Sequence, residues 1–441
     1  MTMAADKQDK VLNFSSEREQ SGACSCSAER DKNQGKNFLN VPTLRFPEFR
    51  GEWVRYKVSD VLDFYSTNSL SWEQLEYNTD GLLNLHYGLI HVGLPTVVDL
   101  NENVLPSIKK EFLPKNYELC ENGDVAFADA SEDTNEVAKV IEFVNLSNRN
   151  VVCGLHTIHG RDNHNLTSVG FKGYAFSSKS FHNQIRCIAQ GTKIFSISSK
   201  NFTECYIGIP SKEEQAKIAK LLWLIDERVE TQIRIIEELK MFRDTLMFKL
   251  LSPRKNWEHV CIHDVAMVVG GGTPDTNVKE YWDGNIQWFT PSEIGKEKYA
   301  IASERTISQA GLDNSSAKLL PANTILLSTR ATIGECSIAK KECCTNQGFQ
   351  SLVATTVTPE FLYYLIQTKK RDLLSKASGS TFSEISANEV RKIRICIPTT
   401  AKEQEAIVQP LSAYDEKIET ECKILYLYKL QKQFLLSNLF I

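Results

Sequence analysis

The chain has 441 residues and a formal net charge of −4, with 42% hydrophobic and 24% charged residues. This composition is ordinary for a folded soluble protein and excludes a collagen, a mostly disordered chain and a multi-span membrane protein. At roughly 150 residues per domain, the length predicts two to four domains. The slightly acidic balance gives no overall attraction for nucleic acid, so any DNA site must be a local basic surface.

Neither the apolar runs nor the cysteines point to a membrane or an oxidising compartment. No run of about 18 apolar residues occurs, and the first residues lack the apolar stretch of a signal peptide. The 12 cysteines include no Cys-x-x-Cys pair, and Cys24/Cys26 and Cys343/Cys344 lack zinc-ligand spacing. We therefore expect reduced thiols in a cytoplasmic protein.

The first 40 residues differ from the rest of the chain. They are rich in Ser, Lys, Glu, Asp and Gln and have neither helical nor strand periodicity. Such a segment buries too little apolar surface to offset the entropy of ordering it. We predict a disordered tail at 1–40, with order beginning near Leu44.

An internal repeat organises the remaining residues. Ile207-Gly-Ile-Pro210 aligns with Ile395-Cys-Ile-Pro398, and Glu214-Gln215 aligns with Glu403-Gln404 one inserted residue later. The repeat predicts two mixed α/β globular domains, each followed by a long helix. The predicted segments are a first domain at 41–210, a first helix at 211–251, a second domain at 252–398 and a second helix at 399–441.

Both helical segments have the 3.5-residue apolar spacing of a coiled coil. At about 40 residues and 1.5 Å per residue, each would be ~60 Å long. The apolar positions are Ile218, Leu222, Ile225, Val229, Ile236, Leu239, Leu246 and Leu250 in the first, and Ile407, Leu411, Tyr414, Ile418, Leu425, Tyr428, Leu435 and Leu439 in the second. Polar residues interrupt both at equivalent positions, Gln232 and Arg243 in the first and Glu421 and Lys432 in the second.

We expect the two helices to pair with each other, because the apolar pattern is longer than that of an ordinary globular helix. In a two-fold-like arrangement of the repeats, this pairing is antiparallel. This pairing would place Arg243 opposite Glu421 and Gln232 opposite Lys432. The alternative is that each helix lies on its own domain. Residues 211–250 contain eight basic and eight acidic side chains, a poor composition for binding phosphates. A spacing and partner-docking role is therefore favoured.

Each globular half contains one basic stretch. Residues 145–205 have seven Lys or Arg against two Asp or Glu, with four histidines interspersed, and residues 365–395 have seven against three. A solvated surface is the simplest explanation for either stretch alone, and its occurrence in both halves favours a nucleic-acid surface.

The sequence contains no convincing catalytic set. Gly270–Pro274 resembles a phosphate loop, but no Gly-Lys-Ser/Thr follows it. The chain also has no Pro-Pro pair, which the Asp/Asn-Pro-Pro-aromatic loop of an amino-methyltransferase requires. The acid-x-Lys pairs that a metal-dependent nuclease would use lie on the predicted helices, and the histidines lack a carboxylate cluster.

Several motifs resemble those of the specificity (S) subunits of Type I restriction–modification systems, over roughly residues 41–441. In the second half these are Gly271-Gly-Thr-Pro274, Tyr281-Trp-Asp-Gly-Asn-Ile-Gln-Trp288, Ser328-Thr-Arg-Ala-Thr-Ile-Gly334, Thr345-Asn-Gln-Gly-Phe349 and Ala377-Ser-Gly-Ser-Thr-Phe382. The first half matches more loosely, with Gly154-Leu-His-Thr157 in place of the Thr-Asn-Gln-Gly-Phe segment. This divergence is what two domains reading different half-sites would show.

The resemblance implies a non-catalytic DNA-binding subunit. Each globular domain would read one half of a bipartite double-stranded target, and the helices would set the spacer and bind two methyltransferase subunits. Two restriction subunits would complete the complex. Adenine N6 methylation with S-adenosylmethionine, and cleavage with ATP and Mg²⁺, would belong to those partners. No cofactor and no membrane are implied for this chain.

DNA-contacting residues are expected on loops, where hydroxyl and basic side chains bind phosphates and a few polar groups read base edges. We predict Thr273, Arg330, Thr332, Ser380 and Thr381 in the second half, and Thr192, Lys193, His159, Arg161 and Lys172 in the first. Tyr281, Trp282, Trp288 and Phe349 are expected in the core. Two alternatives remain open: a two-module protein scaffold that does not bind DNA, and a self-sufficient DNA-modifying enzyme.

Overall fold

The structure, a computed structural model, describes residues 40–134, 136–377 and 384–441. The predicted tail, apart from its last residue, lies outside the described residues, as do Ser380 and Thr381. The chain divides into two compact units. Unit 1 comprises the residues up to Arg228 together with Lys429–Ile441, and unit 2 comprises Val229–Tyr428.

Unit 1 has a mixed α/β fold. Its described strands are β1 (Val54–Lys57), β2 (Asp63–Tyr65), β3 (Leu75–Glu76), β4 (Leu83–Leu85), β5 (Val97–Asp99), β6 (Ser107–Ile108), β7 (Val125–Ala128), β8 (Ala130–Ser131), β9 (Val140–Asn145), β10 (Val151–Cys153), β11 (Thr157–Arg161), β12 (Phe195–Ser196) and β13 (Tyr206–Ile209). Its short helices are α1 (Val58–Val61), α2 (Tyr87–His91), α3 (Phe171–Phe176), α4 (Lys179–Ile188) and α5 (Ser199–Thr203). The long helix α6 (Lys212–Leu250) follows β13.

The core of unit 1 lies on both faces of a five-stranded sheet with the order β2-β11-β7-β9-β5. All four residues of β7 are buried, which agrees with its unbroken apolar sequence Val-Ala-Phe-Ala. A smaller sheet has the order β10-β4-β6-β3, and β1 pairs with β13. The β1–β13 pair places the first strand of the domain beside the last strand before α6.

Unit 2 is built in the same way. Its described strands are β14 (Glu258–Cys261), β15 (Ala266–Gly270), β16 (Trp282–Phe289), β17 (Tyr299–Ala300), β18 (Arg305–Ile307), β19 (Ile325–Leu327), β20 (Cys336–Ala339), β21 (Cys343–Thr345), β22 (Gln350–Ala354) and β23 (Arg394–Ile397). Its helices are α7 (Ile262–Val265), α8 (Gln309–Asp313), α9 (Pro359–Thr368), α10 (Lys370–Lys376), α11 (Ala387–Arg391) and the long α12 (Ala401–Asn438). The five-stranded sheet has the order β15-β22-β19-β20-β17.

The two units share one topology. In each five-stranded sheet the first three pairings are antiparallel and the last one is parallel. In each smaller sheet one strand, β4 or β16, lies between a parallel and an antiparallel neighbour. The sequence repeat is therefore a duplication of the fold, and the predicted fold class is confirmed.

The repeated Glu-Gln dipeptide fixes the start of each long helix. The Gln215 side chain donates to Pro210 O at 2.9 Å and accepts from Ser168 N at 2.7 Å. At the equivalent position in unit 2, the Gln404 side chain accepts from Thr358 N at 3.0 Å. Both glutamines are buried. In each unit the glutamine thus satisfies a backbone N–H of the globular domain, at Ser168 or Thr358, and connects the first turn of the long helix to that domain.

The long helices pair antiparallel. In unit 2, Met247 and Leu251 share a core with Ile407 and Leu411. In unit 1, Ile218, Leu222 and Ile225 of α6 share a core with Leu435 and Leu439. Every apolar position predicted for the two helices is buried or half-buried. The helices also pack on the cores of their units, so the two arrangements weighed from the sequence coexist.

The predicted register of the helix pair is wrong. Gln232 Nε2 donates to Glu421 Oε2 at 2.5 Å, and Arg243 Nη1 donates to Asp415 Oδ1 at 2.9 Å. In unit 1, Lys432 pairs with Asp226 at 2.6 Å. The polar interruptions are therefore not matched as predicted. The register follows the shared apolar core of Met247, Leu251, Ile407 and Leu411, and the polar residues pair within the arrangement that this core imposes.

Candidate nucleic-acid interface

Four loops of unit 2 meet at one end of its five-stranded sheet. We call the loops at 271–274, 290–293, 328–334 and 345–349 the unit 2 loop cluster. Backbone hydrogen bonds join three of them: Gly272 N donates to Thr345 O at 2.9 Å, and Thr329 N donates to Gly348 O at 2.8 Å. The fourth loop is attached through Phe289, whose backbone oxygen accepts from Asn346 N at 3.1 Å. The loops are joined through their backbones, so their exposed side chains project from a fixed frame.

Glycine and tryptophan residues make this close approach possible. A Cβ atom at Gly271 would lie 2.1 Å from Asn346 O, so a side chain at this position would force the two loops apart. The buried Trp288 donates from Nε1 to Gly272 O at 2.9 Å. Trp282 and Phe349 are also buried and Tyr281 is half-buried, in agreement with the core role predicted for these aromatic residues.

The loop cluster brings together three of the predicted DNA contacts. Thr273 Oγ1 donates to Gln347 Oε1 at 2.5 Å, and Thr332 Oγ1 donates to Ser328 Oγ at 3.2 Å. Arg330 Nη2 lies 2.7 Å from Glu384 Oε2, and the Arg330 side chain is 42% exposed. One surface thus presents two threonine hydroxyls, the amide of Gln347 and the guanidinium of Arg330.

The sequence reasoning did not single out Gln347. Its side chain is exposed and accepts the hydrogen bond from Thr273. Its position within the Thr345–Phe349 motif could have indicated it, because that motif is one of those that carry the family resemblance. Amide side chains form paired hydrogen bonds with adenine, so Gln347 joins the candidate site.

In unit 1 the equivalent loops have different side chains. The backbones of Arg330 and Glu384 form an antiparallel β-bridge. The equivalent backbone pairing in unit 1 joins Ala130 on β8 to Ser196 on β12. Thr192 and Lys193 are exposed on the loop between Gln190 and Ser196, which β12 holds beside β8. The structure therefore places these two predicted contacts on the loop that adjoins β8.

The other three predicted contacts of unit 1 are engaged inside the unit. His159 and Lys172 are 1% and 2% exposed. His159 Nε2 lies 2.7 Å from Asp124 Oδ2, and Lys172 Nζ lies 3.2 Å from Glu142 Oε1. Contact with a phosphate requires an exposed cation, so we withdraw His159 and Lys172 from the set of DNA contacts.

Arg161 is withdrawn for the same reason. Its side chain is 12% exposed and donates to both oxygens of Asp124 at 2.8 Å, to Glu121 Oε1 at 2.7 Å and to Leu119 O at 2.7 Å. The basic composition of residues 145–205 gave no sign of this, because the acidic partners Glu121, Asp124 and Glu142 lie earlier in the chain.

Burial and pairing shift the pKa values of this interior network. Burial alone would raise the pKa of Asp124, but the hydrogen bonds from Arg161 and His159 lower it below its ordinary value. Burial raises the pKa of Glu142 despite its proximity to Lys172. These charges hold the interior of unit 1 together and are not available to DNA.

The loop cluster contributes no residue to the candidate metal-ligand groups found in the described part of the chain. Among the described residues, two groups of Cys, His and Asp side chains come close enough to share a metal ion: Cys120, Cys153 and His159, and Cys261, His263 and Asp264. Neither group includes a residue of the loop cluster.

Comparison with known proteins relates this geometry to a family. The family described as the Type I restriction modification DNA specificity domain matches residues 254–426. The Type I restriction enzyme MjaIX specificity subunit of Methanocaldococcus jannaschii is 36% identical over 208 residues, which are 46% of this chain and 45% of the relative. The EcoR124I/EcoR124II specificity subunit of Escherichia coli is 25% identical over 235 residues, 49% of this chain and 57% of the relative. The alignments thus span about half the length of each curated relative.

Two solved structures share the fold along most of the chain. The S subunit of a Type I restriction–modification system from M. genitalium has a TM-score of 0.53 at 17% identity, covering 91% of this chain and 99% of that one. A chain from a study of complex assembly in the type I R-M system has a TM-score of 0.58 at 16% identity, covering 87% and 96%. In the described part of the chain, no helix has the length and apolar character needed to cross a membrane.

Proposed function

Since the chain belongs to the specificity-subunit family of Type I restriction–modification systems, we propose that it is the sequence-specific DNA-binding subunit of such a complex. The observation that carries this proposal is the unit 2 loop cluster. Thr273, Arg330, Thr332 and Gln347 lie on loops joined by backbone hydrogen bonds, and their side chains carry the donors and acceptors that read base edges and bind phosphates.

Each globular domain, at 41–210 and 252–398, reads one half of a bipartite double-stranded target. Support comes from the shared topology of the two units combined with different side chains at equivalent loop positions, Ala130 in unit 1 and Arg330 in unit 2. One frame with two sets of loops is what recognition of two unlike half-sites requires. The helices at 211–251 and 399–441 fix the spacer between the half-sites.

The same helices bind two methyltransferase subunits, which in turn carry two restriction subunits. The described helices expose large apolar side chains that neither unit covers: Trp223 and Phe434 in unit 1, and Met241, Phe248 and Leu427 in unit 2. Exposed apolar surface of this kind marks protein–protein contact sites. The chain itself is non-catalytic, and S-adenosylmethionine, ATP and Mg²⁺ bind to the partners in the cytoplasm.

A gel-shift series tests the DNA-binding role. The chain, with its methyltransferase subunits, is incubated with genomic fragments at increasing salt concentration. A DNA-binding subunit loses affinity steeply with salt, because each phosphate contact releases counterions. A flat or absent signal would favour the non-DNA-binding scaffold, and methyl transfer by the purified chain alone would favour a self-sufficient enzyme. Mapping methylated adenines in cells with and without the chain then defines the target.

A further inference from the structure

The interior of unit 1 contains a trio of side chains that DNA recognition does not use. Cys120, Cys153 and His159 are 5%, 1% and 1% exposed. One ligand atom from each residue lies within 4.8 Å of those of the other two. The two sulfur atoms are 3.6 Å apart. At Zn–S distances of about 2.3 Å, two thiolates on a tetrahedral zinc lie at roughly this separation.

The histidine of this trio is held as a metal ligand would be. Its Nε2 atom lies 2.7 Å from Asp124 Oδ2, and Arg161 also donates to that carboxylate. The other ring nitrogen, Nδ1, is buried and has no hydrogen-bond partner. A buried nitrogen without a partner costs free energy, whereas a histidine that donates its other N–H to a carboxylate is the usual arrangement around zinc.

From these observations we propose that Cys120, Cys153 and His159 bind one zinc ion in unit 1. Two thiols lose their protons to solvent as two Zn–S bonds form, and His159 Nδ1 donates its lone pair. The charges of two thiolates and Zn²⁺ cancel, and the Asp124–Arg161 pair is already neutral. A water molecule takes the fourth position. This site is independent of the DNA-binding function proposed above.

The three ligands connect separate elements of unit 1. Cys153 ends β10 in the smaller sheet, His159 lies on β11 in the larger sheet, and Cys120 precedes β7. Cys120 N also donates to Val151 O at 2.8 Å, which holds the two sulfur-bearing segments together. The zinc ion therefore links the two sheets of unit 1 and stabilises it.

Unit 2 has no such ligands at the matching positions. Leu320 N donates to Cys343 O at 2.8 Å as Cys120 N donates to Val151 O, and Thr345 ends β21 as Cys153 ends β10. Strand register places Ser351 where His159 lies. One zinc ion per chain is therefore expected, not two.

The test is metal analysis of the full chain after loading with zinc under reducing conditions and removal of loosely bound metal. We expect one zinc per chain in the native protein, none in Cys153→Ser and none in His159→Gln. Cys261→Ser is the matched control, because Cys261 belongs to the half-exposed group with His263 and Asp264. It should keep its zinc.

Cobalt provides a second measurement on the native chain, which does not depend on the variants folding. Thiolate-to-cobalt charge-transfer absorption is expected on loading with Co²⁺. Absence of retained metal in the native chain, zinc retained by Cys153→Ser, or zinc lost from Cys261→Ser would each overturn the proposal. A Cys120–Cys153 disulfide formed in place of metal binding would overturn it as well.

Discussion

Arg330 is the residue of the loop cluster whose charge is most open to DNA. Its guanidinium shares a 2.7 Å ion pair with Glu384 and remains 42% exposed. An exposed ion pair contributes little to stability, so the pair can exchange its carboxylate for a phosphate or a guanine edge at small cost. Under the proposed function, we expect Arg330 to serve recognition more than folding.

Replacing Arg330 with alanine should weaken binding to the specific target by about 1–3 kcal/mol and leave thermal stability unchanged. The measurement is a titration of the assembled complex on target DNA. Arg254→Ala is the matched control, because Arg254 also forms an exposed ion pair, with Glu403, and lies outside the loop cluster and the basic stretch. Equal losses in both variants would contradict a specific role for Arg330.

Lys172, unlike Arg330, is a basic residue that stabilises the interior of its unit. It is buried against Glu142, whose side chain also accepts from Gly170 N and Gly173 N at 2.8 Å. Lys172→Ala should destabilise unit 1 by about 3–5 kcal/mol, because it leaves a buried carboxylate unpaired. Thermal unfolding measures this loss, and adding Glu142→Gln should recover part of it. A variant of normal stability with weakened DNA binding would instead restore Lys172 to the interface.

At the level of residues, the sequence shows which side chains are charged but not which oppositely charged side chains they contact in the fold. Thr273, Arg330 and Thr332 were predicted from motifs, and the structure brings them together on one surface. His159, Arg161 and Lys172 were chosen for their basic neighbourhood. Their partners come from strand β9 and from the segment before β7, which only the sheet order places beside them.

At the level of elements, the apolar residues of the long helices predicted the structure better than the polar residues did. The apolar spacing correctly predicted two helices, observed with 39 and 38 residues, and their antiparallel pairing. The polar interruptions gave a wrong register, because Gln232 meets Glu421 and Arg243 meets Asp415. Matching polar residues to each other ignores the apolar ends of the interface, where burial is larger.

A double-mutant cycle distinguishes the two registers. Gln232→Ala with Glu421→Ala, and Arg243→Ala with Asp415→Ala, should each show a coupling energy of about 0.5–3 kcal/mol in unfolding experiments. Arg243→Ala with Glu421→Ala should be additive. Coupling in the last pair, and none in the first two, would restore the register predicted from the sequence.

The Gln232–Glu421 contact should also make helix pairing sensitive to pH. Hydrogen bonds from Lys417 and then Gln232 lower the pKa of Glu421. A carboxylate with a lowered pKa in the folded state stabilises above its unfolded value, about 4.3, and loses that effect as the pH falls through the folded pKa. Melting curves from pH 7 downward should show a larger loss in the native chain than in Glu421→Gln. Glu419→Gln, an exposed neighbour, should behave like the native chain.

For the whole molecule, the repeat in the sequence predicted the duplicated fold. The alignment of the Ile-x-Ile-Pro and Glu-Gln segments was sufficient, because in each unit the glutamine side chain accepts a hydrogen bond from a backbone N–H of the domain, at Ser168 or Thr358. Antiparallel pairing of the long helices already implied that the end of the second helix lies beside the start of the first, as Leu435 and Leu439 do. The sequence did not predict that Phe440, beyond the periodic positions, also enters the core of unit 1.

Changing the loop of one unit should alter one half of the target. In unit 1, Thr192→Ala combined with Lys193→Ala removes two exposed side chains between Gln190 and Ser196. Methylated-adenine mapping should show less complete modification at each target site, with base preference relaxed in a single half-site. The Arg330→Ala variant should relax the other half. Relaxation of both halves by either variant would contradict the assignment of one half-site to each unit.

The discontinuity of unit 1 has a consequence for synthesis. Leu435, Leu439 and Phe440 lie in the core of unit 1, where the Phe440 ring lies 6.3 Å from that of Trp53. A ribosome makes Trp53 early and Phe440 hundreds of codons later. The core of unit 1 therefore stays incomplete on the nascent chain until translation reaches these last residues. A premature stop codon late in the reading frame would therefore damage the lobe that was translated first.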